Sequence, residues 1–305
     1  MNTLYCFDTK FTIIKRLSEF EGSYGEIYVI QGDLEGNLEG DIEGNPEANQ
    51  RYLAKITKNT PEACHSLRNE YNILQYLGDA STSPSPSPSP SPHIIKTHCY
   101  EENKDYCILI LEYAKHGDLH TLLSRKKLSE KNAVKIFRQI LKAIKYCHSK
   151  GVFHRDLKTE NIVIGEKRSN KLSNKLSNKH SFVCKIIDFG MAKIGEPCSG
   201  INGTEGFIPY EAKEKEKEKE KAYNCAKADI YALGMIFVLL MTGREFFDIK
   251  SETRVKEYIN NPEKYWETNF STTILEKYRE VVDGMIDVDP KKRWTIERVQ
   301  KWFKK

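Results

Sequence analysis

The chain has no long hydrophobic run. The longest apolar stretch, residues 230–241 of 305, is too short for a bilayer span, which takes about 20 residues, and reads as a buried helix. Residues 1–5 carry no charged region followed by an apolar stretch, and Asn2 stands where N-myristoylation needs glycine, so neither a signal peptide nor a membrane anchor is expected. No two cysteines have C-x-x-C spacing. The eight, at positions 6, 64, 99, 107, 147, 184, 198 and 225, are scattered and suggest neither a zinc site nor a disulfide framework. Reduced thiols in a cytoplasmic or nuclear protein are the expectation. Strong charge of one sign is also missing. The 48 Lys and Arg against 43 Asp and Glu leave a formal +5, too modest to suggest a nucleic-acid partner.

Four low-complexity segments interrupt a globular pattern: 32–50, 83–92, 165–181 and 213–221. The first repeats a Gly-Asp-Leu-Glu unit over 32–47 with six carboxylates and no base, and the second is five Ser-Pro pairs. The third repeats Lys-Leu-Ser-Asn with five Lys or Arg over 167–179. The fourth alternates Lys and Glu, which on a helix sets like charges at i and i+4. None buries enough apolar surface to offset the entropy of ordering, so all four read as surface loops.

Between them the pattern is regular. Residues 10–30, 52–57 and 106–112 read as strands. Thr60 supplies a capping hydroxyl and Pro61 a first-turn proline, starting a helix that runs to about Leu77 and stops at Gly78. Ser129 caps a second helix, with apolar positions 133, 134, 137, 140, 141, 144 and 147 and a stop at Gly151. Strands first and helices later predict an α+β chain with a small sheet lobe followed by a larger helical lobe.

The chemistry concentrates in two motifs. Residues 154–161 read His-Arg-Asp-Leu-Lys-Thr-Glu-Asn, and 27 positions after Asn161 comes Asp188-Phe189-Gly190. The first supplies a base, a cation and an amide within eight residues; the second sets a carboxylate beside a glycine free to take unusual backbone angles. Together they resemble the catalytic and magnesium-binding loops of eukaryotic protein kinases, and Lys158 resembles the serine/threonine class. The resemblance covers about residues 10–303. It implies the two-lobed protein-kinase fold over 10–305: an N-terminal lobe to about 111 with an antiparallel sheet and one helix, a hinge at 112–116, and a mainly helical lobe over 117–305.

That resemblance implies ATP-dependent transfer of the γ-phosphoryl group to Ser or Thr hydroxyls of protein substrates, with Mg²⁺. Asp156 would accept the proton of the attacking hydroxyl, Lys158 would offset phosphoryl charge, and Asn161 and Asp188 would hold Mg²⁺ through hard oxygen donors. Lys55, a lone cation among apolar strand neighbours, needs a partner, and Glu70 on the inward side of the helix is the natural one. Gly22 and Gly25 would let backbone approach phosphate, although Phe20 replaces the family's first glycine. Ile27 and Val163 would sandwich the base, Glu112 and Ala114 would form the hinge, Leu111 would guard the rear pocket, and Asp118 would lie near the ribose. Leu53 replaces the usual Ala over the adenine ring.

Residues 203–211 resemble the end of an activation segment, with Glu211 paired to Arg293 and Thr204 in the substrate-binding wall. Asp229, ahead of the apolar run, reads as a helix cap that by resemblance also braces the catalytic loop. Arg155 before Asp156 implies control by phosphorylation, with Ser199 as the acceptor for an upstream kinase. Glu160 and Asp118 hint at basic residues N-terminal to the phosphorylated one. A pseudokinase scaffold is the alternative, favoured by Phe20, Leu53 and the altered 209–211 and opposed by the complete set Lys55, Glu70, Asp156, Asn161 and Asp188.

Overall fold

The computed structural model describes residues 3–6, 9–19, 25–32, 50–79, 90–166, 182–217, 222–247, 252–270 and 273–304. Phe20, Gly22 and nearly all of the first and third low-complexity segments lie outside these, as does most of the Ser-Pro run. The chain divides into two compact units. One comprises Met1–Pro90 and Ile95–Lys115; the other comprises Ser91–Ile94 and His116–Lys305. The short stretch after the Ser-Pro run therefore packs with the second unit, where sequence order alone would assign it to the first.

Among the described residues the first unit is a six-stranded antiparallel sheet and one helix. Its strands are β1 (Thr3–Cys6), β2 (Thr9–Glu19), β3 (Gly25–Gln31), β4 (Arg51–Lys58), β5 (Thr97–Glu102) and β6 (Tyr106–Glu112), in the order β1-β2-β3-β4-β6-β5. The sheet thus begins at Thr3, ahead of the expected start at residue 10, with Leu4 opposite Phe11. Alternation along the strands separates two faces. Phe11, Ile30, Tyr52, Ala54, Ile108 and Ile110 form a buried core on one. Leu53, Lys55 and Thr57 alternate with Tyr52, Ala54 and Ile56 and so point to the opposite side. Helix α1 (Pro61–Gly78), capped by the Thr60 hydroxyl, packs against β4, β5 and β6 and buries Leu67, Glu70, Ile73, Leu74 and Leu77.

The second unit holds the remaining elements. In chain order they are α2 (Leu119–Arg125), α3 (Glu130–Ser149), β7 (Val152–Phe153), a 3-10 turn at Thr159–Asn161, β8 (Ile162–Glu166), β9 (Phe182–Ile186) and β10 (Lys193–Ile194). Then come α4 (Tyr210–Lys217), α5 (Cys225–Thr242), α6 (Glu252–Asn260), α7 (Pro262–Phe270), α8 (Thr273–Glu276), α9 (Arg279–Ile286) and α10 (Ile296–Trp302). Two ribbons, β7 with β10 and β8 with β9, frame the loop that carries residues 154–161. Helix α5 is apolar and long enough to span a membrane by composition, but 78% of it is buried inside the protein, against α3, α8 and α9. It is the core helix expected from the apolar run.

Three sequence expectations are corrected here. Two cysteine pairs are joined, Cys64 to Cys107 and Cys198 to Cys225, where no disulfide was expected. Partners 43 and 27 positions apart meet only because α1 packs on β6 and because residue 198 pairs with Tyr223 through both backbone groups. Of the Lys/Glu alternation, residues 213–217 continue helix α4, which begins at Tyr210, while 218–221 lie outside the described residues. Asp229 is not a cap. Helix α5 starts at Cys225, its N-terminal amides taken by Asn224 and by both carboxylate oxygens of Glu196.

Candidate active site

The loop after β7 is fixed from inside the second unit. Asp229, one turn into α5 and fully buried, accepts hydrogen bonds from the backbone N–H groups of His154 (3.0 Å) and Arg155 (3.0 Å) and from His148 Nε2 (2.9 Å). These bonds hold Arg155 at φ +69°, a left-handed conformation that costs a non-glycine residue energy unless its surroundings impose it. The His154 ring, also buried, takes the Asp156 N–H on Nδ1 (3.3 Å), so Nε2 carries the proton and donates to the Ile187 carbonyl (2.9 Å). Ile187 N–H in turn donates to the Asn161 carbonyl (3.0 Å). One short network therefore sets the loop at 154–161 against Asp188, which itself has φ +64°.

Burial would push the Asp229 carboxyl up, yet the His148 hydrogen bond and charge and the loop amides hold it below its ordinary value. A carboxyl with a lower pKa in the folded state stabilises it above about pH 4, the unfolded value, and loses that contribution as pH falls through the folded one. Urea midpoints measured from pH 7 down to pH 3 should be flat with respect to this group above about pH 5 and fall below about pH 4. In Asp229→Asn the acid-side fall should be shallower, and an identical slope would exclude this residue as its source.

Asp156 sits at the centre of the polar cluster. Its Oδ1 accepts from the Thr204 hydroxyl (2.8 Å), and its Oδ2 lies 3.4 Å from Lys158 Nζ and 3.2 Å from Asn161 Nδ2. Lys158 Nζ also donates to Thr204 Oγ1 (2.7 Å), so Thr204 bridges cation and carboxylate. Sequence reasoning placed Thr204 only in a substrate wall. The signal for its closer role was its neighbour Gly203, where φ is +111° and a Cβ would meet the Arg155 carbonyl at 2.8 Å. Only glycine lets the segment approach this closely.

The rest of the segment is anchored at both ends. Arg155 Nη2 donates to the Ser199 carbonyl (2.9 Å), with the Ser199 side chain exposed. At the far end Arg293 forms a two-pronged pair with Glu211 (2.7 and 2.8 Å), as the sequence predicted. Asp118 does something the sequence did not show. It caps α2, taking the Thr121 N–H on one oxygen (2.7 Å) and the Thr121 hydroxyl on the other (2.8 Å). Glu160 is exposed and accepts from the Thr159 hydroxyl (3.0 Å). Val163 is half-buried on β8, bridged to Asp118.

In the first unit Lys55 and Glu70 meet as predicted. The Nζ–Oε2 distance is 2.7 Å and both side chains are almost fully buried, 4% and 1% exposed. The register places Lys55 opposite Ile27 on β3 and Leu109 on β6, with Gly25 opening β3 opposite Thr57. Glu112 ends β6, its N–H committed to the Lys96 carbonyl (2.9 Å), and half-buried Ala114 follows. Leu111 is buried and Leu53 half-buried. Gly22 lies outside the described residues. The Lys55–Glu70 pair is thus assembled within one unit and the Asp156 cluster within the other.

A buried Lys–Glu pair on a sheet and helix, and an aspartate held by lysine, threonine and asparagine beside an Asp-Phe-Gly turn, are the parts that define protein kinases. Residues 48–303 match the family model for the protein kinase domain, and the chain belongs to that family. Among its relatives, CBL-interacting protein kinase 10 of Oryza sativa subsp. japonica is 32% identical over 217 residues, covering 69% of this chain and 44% of that protein. CBL-interacting serine/threonine-protein kinase 13 of Arabidopsis thaliana is 30% identical over 205 residues, covering 65% of this chain and 36% of that protein. The chain therefore spans less than half the length of these curated relatives.

Proposed function

We propose that this chain is an ATP- and Mg²⁺-dependent protein kinase that phosphorylates Ser and Thr residues of protein substrates. The single observation that carries the reading is the Asp156–Lys158–Thr204–Asn161 cluster, which presents one aspartate with its carboxylate oriented from three sides. Asp156 receives the proton of the attacking hydroxyl as its oxygen bonds the γ-phosphorus and the bond from that phosphorus to the β–γ bridging oxygen breaks, releasing ADP. Lys158 stays charged against the transferring group, and Lys55, steadied by Glu70, anchors nucleotide phosphates. Asn161 and Asp188 suit Mg²⁺: the Asn161 amide nitrogen is spent on Asp156, which turns its oxygen the other way, and Asp188 adds a carboxylate. When bound, the ion neutralises charge on the phosphate oxygens.

Control by phosphorylation of Ser199 is supported by the Arg155 guanidinium, which already reaches that residue's carbonyl. Labelled ATP with a generic basic protein tests the main reading. Mg²⁺-dependent label on serine and threonine is expected. Nucleotide binding without any incorporation would instead establish a scaffold, and label on tyrosine alone would overturn the assignment to the serine/threonine class.

A further inference from the structure

A depression lies in the second unit, lined by α3, the start of β9 and the end of the Ser-Pro run with His93 after it. Its volume is about 780 Å³. Lys131, Lys135, Arg138 and Lys142 contribute to its wall. At positions i, i+4, i+7 and i+11 they form one ridge along α3, extending about 16 Å. Val134, Phe182 and Val183 supply apolar lining between them. Among the described residues Glu130 is the one carboxylate in the lining, and it is already engaged by Lys277 Nζ (2.7 Å) and the Tyr278 hydroxyl (2.6 Å). The groove is therefore strongly positive. His93, also in the lining, adds no positive charge at neutral pH, since burial lowers its pKa below the ordinary imidazole value.

None of these residues takes part in the chemistry described above. Val134 fits the same account, because it occupies a core-type position of α3 yet stays half-exposed. Lys135 already sits over the Phe182 ring, 4.4 Å from its centroid, so cationic and apolar surface are interleaved rather than segregated. A ridge of that length exceeds a small metabolite and matches about five residues of extended peptide. The apolar lining gives nothing to a phosphodiester backbone but accepts aliphatic side chains.

We propose that this groove is a docking site for an acidic segment of a partner protein, with carboxylates spaced along the α3 ridge and Leu or Ile side chains against Val134, Phe182 and Val183. The chain's own residues 33–47 show this chemistry in miniature, with six carboxylates around Leu34, Leu38 and Ile42, and supply the probe.

A fluorescein-labelled peptide of that sequence is titrated against the full chain without ATP, so the result does not depend on kinase activity. Saturable binding is expected, weakened about tenfold or more by Lys131→Glu/Lys135→Glu/Lys142→Glu and falling with added salt. Unchanged melting of the triple variant, and unchanged turnover on a short peptide substrate, would show that the loss is local. A probe with Ser in place of its Leu and Ile residues should bind several-fold more weakly. Equal binding by that probe, or no effect of the triple variant, would overturn the proposal. So would tighter binding of a duplex oligonucleotide to the same lysines. Stronger probe binding after replacing residues 33–47 with a Gly-Ser linker would assign the groove to the chain's own repeat and overturn a partner.

Discussion

Asp156→Ala is expected to lower kcat by roughly 10²–10⁴-fold, the range that loss of a positioned general base produces. The fold should survive the change. The loop around Asp156 is held through the backbone amides of His154 and Arg155 by Asp229, and through the Asn161 carbonyl by Ile187, none of which uses the Asp156 side chain. Melting should therefore move little while turnover collapses. Asp156→Asn separates two explanations: it can keep a hydrogen bond to Thr204 but cannot take a proton, so it should be nearly as inactive as the alanine variant. Thr204→Ala leaves the proton acceptor and removes one of its guides, and should cost about tenfold, less than the loss of the base. Turnover by Asp156→Asn close to wild type would remove Asp156 as the base and leave the cluster with an orienting role only.

Why some of this was visible in the sequence and some was not has a physical answer. Thr60, Pro61 and Gly78 bracket α1, and Ser129 opens α3, because caps and breakers are local chemistry. The Lys55–Glu70 pair was legible because a cation in an apolar strand and a carboxylate on an apolar helix face each demand a partner, and both are nearly fully buried. Contacts made by distant segments that carry no periodic signal were not legible. Asp229 looked like a cap because it precedes the uniformly apolar stretch, whereas α5 begins four residues earlier, with a more polar first turn. The cysteine pairs depend on packing between elements, so spacing along the chain was silent. Thr204 joined the Asp156 cluster through the backbone approach at Gly203, a three-dimensional fact that only a lone glycine hinted at.

Arg293→Ala should destabilise the second unit by about 3–5 kcal/mol, the cost of stranding a buried charge. Four donated hydrogen bonds vanish together. Nε bonds the Asp287 carbonyl (2.8 Å), Nη1 bonds both Glu211 and the Lys227 carbonyl (2.7 and 2.8 Å), and Nη2 bonds Glu211 (2.8 Å). The guanidinium also lies 5.2 Å from the Tyr231 ring centroid. It therefore ties α4 to α5 and to the turn before α10, and with none of its side chain exposed, water cannot replace it. For a unit of this size the melting point should fall by about 10 °C. Arg293→Lys should rescue little, since an ammonium lacks the flat fork that meets both carboxylate oxygens and a carbonyl. Glu211→Leu combined with Arg293→Met should recover much of the loss, because a well-packed apolar pair strands no charge. A small effect of Arg293→Ala, or a double variant worse than either single, would mean that the pair does not clamp the segment. If it does clamp it, Arg293→Ala also loosens the stretch that carries Thr204 toward Asp156, so turnover should drop even below the melting transition. The ion pair would then support catalysis by positioning alone, without touching a reacting atom.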